Sequence, residues 1–239
     1  MLLGRLSTDG FRDAVQKIDT VILPIGSVEA HGRHCPLSTD VIIPERIARD
    51  VDERLADRLL VAPAIPYGYS KDLSYFPGTV HVSAEVMAAY VSEVALSWVK
   101  WGIKHVVLLN GHGGNIPALS IAADRIAESG VKVVLINWWL HFSKEILEIC
   151  EGQGHAGEDE TSTVLALDAS MVDMNKAGVY WPKLITTIKA PELARYSYPN
   201  AMSGDARLAT AEKGEKIYAA VCARIVEILN DVWEDRLVR

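Results

Sequence analysis

Short apolar runs alternate with longer segments whose apolar positions recur every three or four residues, and this alternation organises most of the chain. Thr20–Ile25 is apolar, rich in β-branched residues and stopped by Gly26, which predicts a buried strand. Residues 44–60 carry Ile47, Val51, Leu55 and Leu59 at intervals of four, with Pro44 near the start, and predict an amphipathic helix. Residues 60–66 read as a strand running into an aromatic, glycine- and proline-rich loop over 67–79. A second helix is predicted over 83–102, with Ser83 at its cap and Val86 where a full capping box would place Glu or Gln. Residues 104–110 form the next strand, 116–129 a helix stopped by Gly130, and 131–137 a further strand. A glycine-bounded loop over 152–162 leads into the apolar run 163–167. Beyond Ala177 the pattern is irregular until a long final helix begins at Thr210.

Strand and helix in alternation imply an α/β fold: a mostly parallel sheet covered on both faces, with right-handed crossovers. No repeat, linker or low-complexity tract interrupts the pattern, so one domain over residues 1–239 is expected. Composition adds little against this: 49% hydrophobic and 23% charged residues are ordinary for a globular chain. A net charge of -7 gives no basic footprint for nucleic acid. No stretch approaches the roughly 20 apolar residues of a membrane span, and the N-terminus lacks the apolar core of a signal peptide. Three cysteines, Cys35, Cys150 and Cys222, are odd in number and far apart, so no disulfide framework is implied and a reducing, cytoplasmic compartment is expected.

The chemistry gathers in three loops. The first, 26–40, follows the Thr20–Ile25 strand and holds Glu29, His31 and Asp40, the ligand types of zinc, manganese or iron. The second, Gly111-His112-Gly113-Gly114-Asn115, follows the 104–110 strand. It matches neither G-x-x-x-x-G-K-S/T nor G-x-G-x-x-G, and the bare motif leaves metal ligand, phosphate cradle and structural turn open. In open α/β sheets ligands bind beyond the carboxyl ends of the strands, so two neighbouring parallel strands would bring Glu29, His31, Asp40 and His112 to one edge. The third loop adds His155, Glu158 and Glu160. A fifth ligand would complete a two-metal set, while acidic residues at a helix N-terminus are the plainer reading for part of this cluster.

With those residues in view, the chain resembles the creatininase (creatinine amidohydrolase) family. The resemblance is carried by segment 26–40, Tyr67-Gly68-Tyr69 with Phe76-Pro77-Gly78-Thr79, Asn110-Gly111-His112-Gly113-Gly114-Asn115, and His155-Ala156-Gly157-Glu158-Asp159-Glu160-Thr161-Ser162. A weaker echo is Gly204-Asp205 with Ala209-Thr210-Ala211-Glu212-Lys213-Gly214-Glu215. The resemblance implies a three-layer α/β sandwich assembled as a homohexamer, with two divalent cations (zinc, manganese or iron) in each subunit. It places Glu29 and His112 on one metal, His31 on the other and Asp40 between them. Creatininases take a further Glu two residues past this His, where this chain has Gly114; that departure argues against creatinine itself, and Glu158 is the residue expected to fill the gap. His155 would stand near the scissile bond and Trp139 at the substrate pocket. Relatives with glycine at this place include a deformylase of a formamidopyrimidine nucleotide and a peptidase of peptide-cofactor maturation.

The expected reaction is metal-assisted hydrolysis of an amide, cyclic amide or formamide bond in a small molecule. Glu160 or Glu158 would orient or deprotonate water, and His155 would protonate the leaving nitrogen. Tyr67, Tyr69, Phe76 and Trp139 suggest an aromatic pocket for the substrate. One rival is a hydrolase with Ser27 or Cys35 as nucleophile and His31 or His34 as base, although Ser27 lacks the G-x-S-x-G elbow. Another is a metal- or nucleotide-binding subunit without catalysis.

Overall fold

The computed structural model describes residues 1–56, 58–183 and 198–236. In chain order the elements of the first half are α1 (Thr8–Ala14), β1 (Thr20–Ile25), α2 (Thr39–Leu55), β2 (Leu60–Val61), α3 (Ala84–Val99) and β3 (His105–Asn110). They are followed by α4 (Ile116–Ala127), β4 (Lys132–Asn137), α5 (Trp138–His141), α6 (Ser143–Leu147), α7 (Glu158–Asp168), β5 (Val179–Tyr180), β6 (Gly204–Asp205) and α8 (Ala211–Trp233). The main sheet is parallel throughout, in the order β2-β1-β3-β4, and β5 pairs antiparallel with β6 at one side.

Every residue of β1 and β3 is buried, as an unbroken apolar run in a sheet covered on both faces requires. Alternate side chains feed opposite layers. Ile22, Val107 and Leu109 pack with Ile47 and Val51 of α2, Val164 of α7 and Ile217 and Val221 of α8. Val21, Leu23, Val106 and Leu108 pack with Ala14 of α1, Val91 of α3 and Leu119 of α4. The result is a three-layer α/β sandwich. After β1 the chain turns into α2 on one face, whereas after β3 it turns into α4 on the other. The two loops therefore part above adjacent strands and leave a crevice at the switch point of the sheet. Register sharpens the crevice, since Ile25, Asn110 and Asn137 lie level across β1, β3 and β4.

Two boundaries differ from the sequence reading. The β2 ladder is confined to Leu60–Val61, and the chain rejoins β1 only at an isolated bridge between Ile65 and Ile25. More consequentially, α2 begins at Thr39, so Pro44 lies inside the helix and Asp40 in its first turn. Proline offers no N–H to the carbonyl four residues before it. The Asp40 carbonyl, freed in this way, faces the ends of both central strands: a Cβ on Gly26 or on Gly111 would overlap it. Glycine at both strand ends lets α2 come down onto the sheet edge and carry Asp40 into the crevice.

Candidate active site

Local hydrogen bonding explains why the loop side chains converge. In the 26–38 loop the Glu29 N–H donates to the Leu37 carbonyl (2.9 Å), the Ala30 N–H to Thr79 Oγ1 (3.0 Å) and the Gly32 N–H to the Ala201 carbonyl (2.8 Å). Gly32 has φ +63°, a conformation glycine adopts without penalty, and Glu29 and His31 on either side of Ala30 are fully buried. After β3, Asn110 accepts the His112 N–H at 3.0 Å and donates to the His112 carbonyl and to Asn137 Oδ1, each at 2.8 Å. Asn115 donates to the Gly26 carbonyl (3.0 Å) and accepts the Tyr69 N–H (2.9 Å). The two asparagines of the glycine motif thus tie together the ends of β1, β3 and β4 and the 67–70 loop. Gly114 is a packing requirement of the same turn, because a Cβ there would overlap the Tyr69 carbonyl and the His112 ring.

At the centre, Asp40 lies between two imidazoles. His31 Nε2 is 2.9 Å from its Oδ1 and His112 Nδ1 is 2.9 Å from its Oδ2. His112 Nδ1 also approaches Glu29 Oε1 (3.2 Å), and His31 Nε2 approaches Glu160 Oε2 (3.5 Å). The other ring nitrogens meet main-chain carbonyls: His31 Nδ1 that of Glu29 (3.1 Å), His112 Nε2 that of Tyr69 (2.9 Å), and His155 Nε2 that of Ala30 (2.9 Å). A carbonyl only accepts, so each of these nitrogens carries its proton and the opposite nitrogen faces the carboxylates. Carbonyl-anchored imidazoles of this kind are how metal-binding histidines are oriented.

Both Glu29 oxygens and Asp40 Oδ2 are buried and make no hydrogen bond of good geometry, although His112 Nδ1 lies within ion-pair distance of Glu29 Oε1 and Asp40 Oδ2. Buried carboxylates left in that state are costly, and a cation among them removes the cost. Glu29, Asp40 and His112 form one set of donor atoms within 4.8 Å of one another; His31, Asp40 and Glu160 form a second, and Glu29, His31 and His155 a third. The donor set is that of a divalent-metal site.

The electrostatics agree. Burial opposes charge on His31, yet Asp40, Glu160 and Glu29 outweigh it and raise its pKa to about 10. His112 is raised well above its ordinary value against the same burial, by Glu29 and Asp40. Asp40, despite burial, is held below the usual carboxylate range by His31 and His112. Burial pushes Glu160 well up. Burial, and then repulsion from His31, bring His155 down to about 4, so it is neutral at physiological pH. Without cations the cluster is balanced by protons on His31 and His112, which a metal must displace.

Glu158, expected as the replacement ligand, points elsewhere. Its Oε1 pairs with Lys213 Nζ at 2.5 Å, and its Oε2 accepts the Glu151 N–H (2.8 Å) and the Gly152 N–H (3.2 Å). Residues two apart on a helix differ by about 200° in direction, so Glu158 braces the preceding loop while Glu160 faces His31 and Asp40. The weak block at 209–215 has its explanation here too: Thr210 caps α8, Lys213 neutralises Glu158, and Gly214 permits close approach, since a Cβ there would overlap the Ser162 carbonyl of α7.

Above the cluster opens a cavity of about 660 Å³. Tyr69 and Trp139 line it, as do Ser70, Gln153, Asp159 and Tyr198, which the sequence reading did not single out. Phe76 is not on the wall and packs against Ala30, Leu73 and Ala201, while Tyr67 is half exposed. Asp159 is buried, which pushes its carboxyl up to about 6. The nucleophile rivals lack support: Ser27 shares a hydrogen bond with Ser70, His34 Nε2 meets Thr161 Oγ1 (2.9 Å), and burial pushes the Cys35 thiol up to about 12.

The family profile described as creatinine amidohydrolase matches residues 4–229. The chain belongs to the creatininase family. Among its relatives, the mycofactocin precursor peptide peptidase of Mycobacterium ulcerans is 32% identical, over 91% of this chain and 87% of that protein. The creatinine amidohydrolase of Pseudomonas putida is 27% identical, over 97% of this chain and 96% of that one. A solved structure named "Creatininase Mn" superposes with a TM-score of 0.84 at 25% identity, covering 96% of this chain and 97% of the other. The creatininase family and fold read from the sequence are thereby established.

Proposed function

We propose that this creatininase-family protein hydrolyses a carbon–nitrogen bond of an amide, using two divalent cations drawn from zinc, manganese and iron. The observation that carries the reading is Asp40 shared between two donor triads, beside a buried Glu29 carboxylate whose two oxygens make no hydrogen bond. Glu29, Asp40 and His112 would hold one cation, and His31, Asp40 and Glu160 would hold the other. When bound, such cations polarise a carbonyl oxygen and acidify a water molecule.

The chain's own residues do the rest. His155 is neutral, with Nε2–H fixed on the Ala30 carbonyl, so its Nδ1 faces the cluster as a proton acceptor. It takes a proton from the attacking water as the oxygen bonds to the carbonyl carbon, and returns it to the nitrogen as the carbon–nitrogen bond breaks. Ser203 accepts the His155 N–H at 3.0 Å and donates its own N–H to the His155 carbonyl at 2.7 Å, holding the residue in place. Tyr69 and Trp139 provide the aromatic walls for the substrate.

A cavity of about 660 Å³ is in the range that encloses drug-sized ligands, more than a small cyclic amide fills. Together with a Gly114 position closed to any side chain, this favours a peptide-like amide over creatinine. Three free cysteines support a reducing, cytoplasmic setting. Exposed Val86 and Tyr90 on α3 and Ile121 on α4 support a homo-oligomer of the family's hexameric kind, each subunit one catalytic domain over residues 1–239. No helix of the described residues is long and apolar enough to cross a membrane.

The test is an amide panel of dipeptides, formamides and cyclic amides, assayed before chelation, after it, and after return of zinc, manganese or ferrous ion. Turnover lost on chelation and restored by metal is expected. Turnover that survives complete chelation would overturn the reading.

A further inference from the structure

Three consecutive acids open α7, and each meets a different fate. Glu158 is neutralised by Lys213, and Glu160 faces His31 and Asp40. Asp159, between them, is 2% exposed, lines the cavity, and has no cationic partner among the described residues. It accepts the Gly154 N–H at 3.1 Å and, more distantly, Gln153 Nε2 at 3.4 Å. An asparagine would accept the Gly154 N–H as well, so bracing the loop does not call for a carboxylate. What the carboxylate adds is a negative charge on a cavity wall that holds no Lys or Arg among its described residues.

The surroundings of Asp159 are built rather than incidental. Gln153 donates to the Trp139 carbonyl (2.9 Å) and accepts from Ser143 Oγ (2.5 Å), which fixes the amide beside Asp159. The Trp139 ring in turn lies across from the turn that follows His112, where a Cβ on Gly113 would meet its Cζ2 at 3.8 Å. A buried carboxylate without a counter-charge and an aromatic face, held on one wall by a shared amide, are the two elements that recognise an organic cation. A ligand spanning from His112 past Trp139 reaches this wall.

We propose that Asp159 is the specificity-determining residue of the cavity and takes a positively charged nitrogen of the substrate, an ammonium, amidinium or guanidinium group, beside the Trp139 ring. That the bound molecule is a substrate rests on the hydrolase reading above; that it is a cation does not.

The test is equilibrium binding to the zinc-loaded full chain, by calorimetry, of benzyltrimethylammonium, which has no lone pair to give a metal, against benzyl alcohol. The wild-type protein should prefer the cation at least tenfold. Asp159→Asn should reduce that preference at least tenfold, whereas Asp72→Asn, elsewhere on the cavity wall, should keep it. No preference in the wild type, its retention in a folded Asp159→Asn protein, or its loss in Asp72→Asn would each overturn the proposal. The wild-type and Asp72→Asn measurements decide the matter if Asp159→Asn does not fold. Metal-dependent turnover on neutral amides, measured separately, reports on the hydrolase reading alone.

Discussion

Glu158 and Glu160 are two positions apart, and the geometry gives them opposite work. Replacing Glu160 by Gln removes a carboxylate from the His31–Asp40 set, and is expected to leave one cation weakly held and to lower turnover by about 100-fold or more. Glu158→Gln should keep both cations but lose the buried pair with Lys213, costing about 1–3 kcal/mol in a denaturant titration. A Glu158→Gln protein that loses metal while Glu160→Gln retains it would reverse the assignment. Proton linkage belongs to the same residues. Because His31 keeps its proton to about pH 10, and His112 is raised as well, bound metal must displace protons. Metal affinity should therefore climb with pH, by up to about tenfold per unit for each imidazolium displaced. In the chelated protein the signs divide. The stabilisation from His31 is complete below its ordinary 6.5 and is lost as pH rises through about 10. That from neutral His155 is present above 6.5 and is lost as pH falls through about 4. A denaturant titration of chelated protein across that range should show both flanks.

Between elements, the decisive contact is the first turn of α2 against the ends of β1 and β3. Gly111→Ala places a Cβ on the Asp40 carbonyl, and should cost about 1–3 kcal/mol or more as an overpacked contact while weakening metal binding, because Asp40 moves with the helix. Gly114→Glu, which restores the carboxylate of true creatininases, should not create a ligand here; it should displace His112 or the Tyr69 carbonyl and lower metal affinity. This is also where the limits of sequence reading are clearest. The strands were legible because β1 and β3 are buried on both faces, and the order of the loops placed Glu29, His31, Asp40 and His112 at one edge. The start of α2 was misplaced because Pro44 looks like an N-terminal residue, when its missing N–H instead serves the fold from within the helix. The Glu158 expectation went astray because α7 is almost entirely buried in its first turns, so no amphipathic stripe fixes its phase. Asp159 and Lys213 carry no local signal, since their roles depend on what packs against them.

For the molecule as a whole, the cations act as ligands of the folded state alone. Occupancy of one site at 100 times its dissociation constant stabilises by about 2.7 kcal/mol, which for a chain of this size raises Tm by about 5–10 °C. Chelation should lower Tm by that amount or more, and metal should restore it; an unchanged Tm would mean that the cluster does not bind metal in the native fold. The most direct measurement is anomalous scattering from crystals of the metal-loaded protein, collected on either side of the absorption edge of the metal. Two peaks flanking Asp40 are expected, one also bounded by Glu29 and His112 and the other by His31 and Glu160. No peak at the cluster, or a peak ligated by Glu158, would contradict the account.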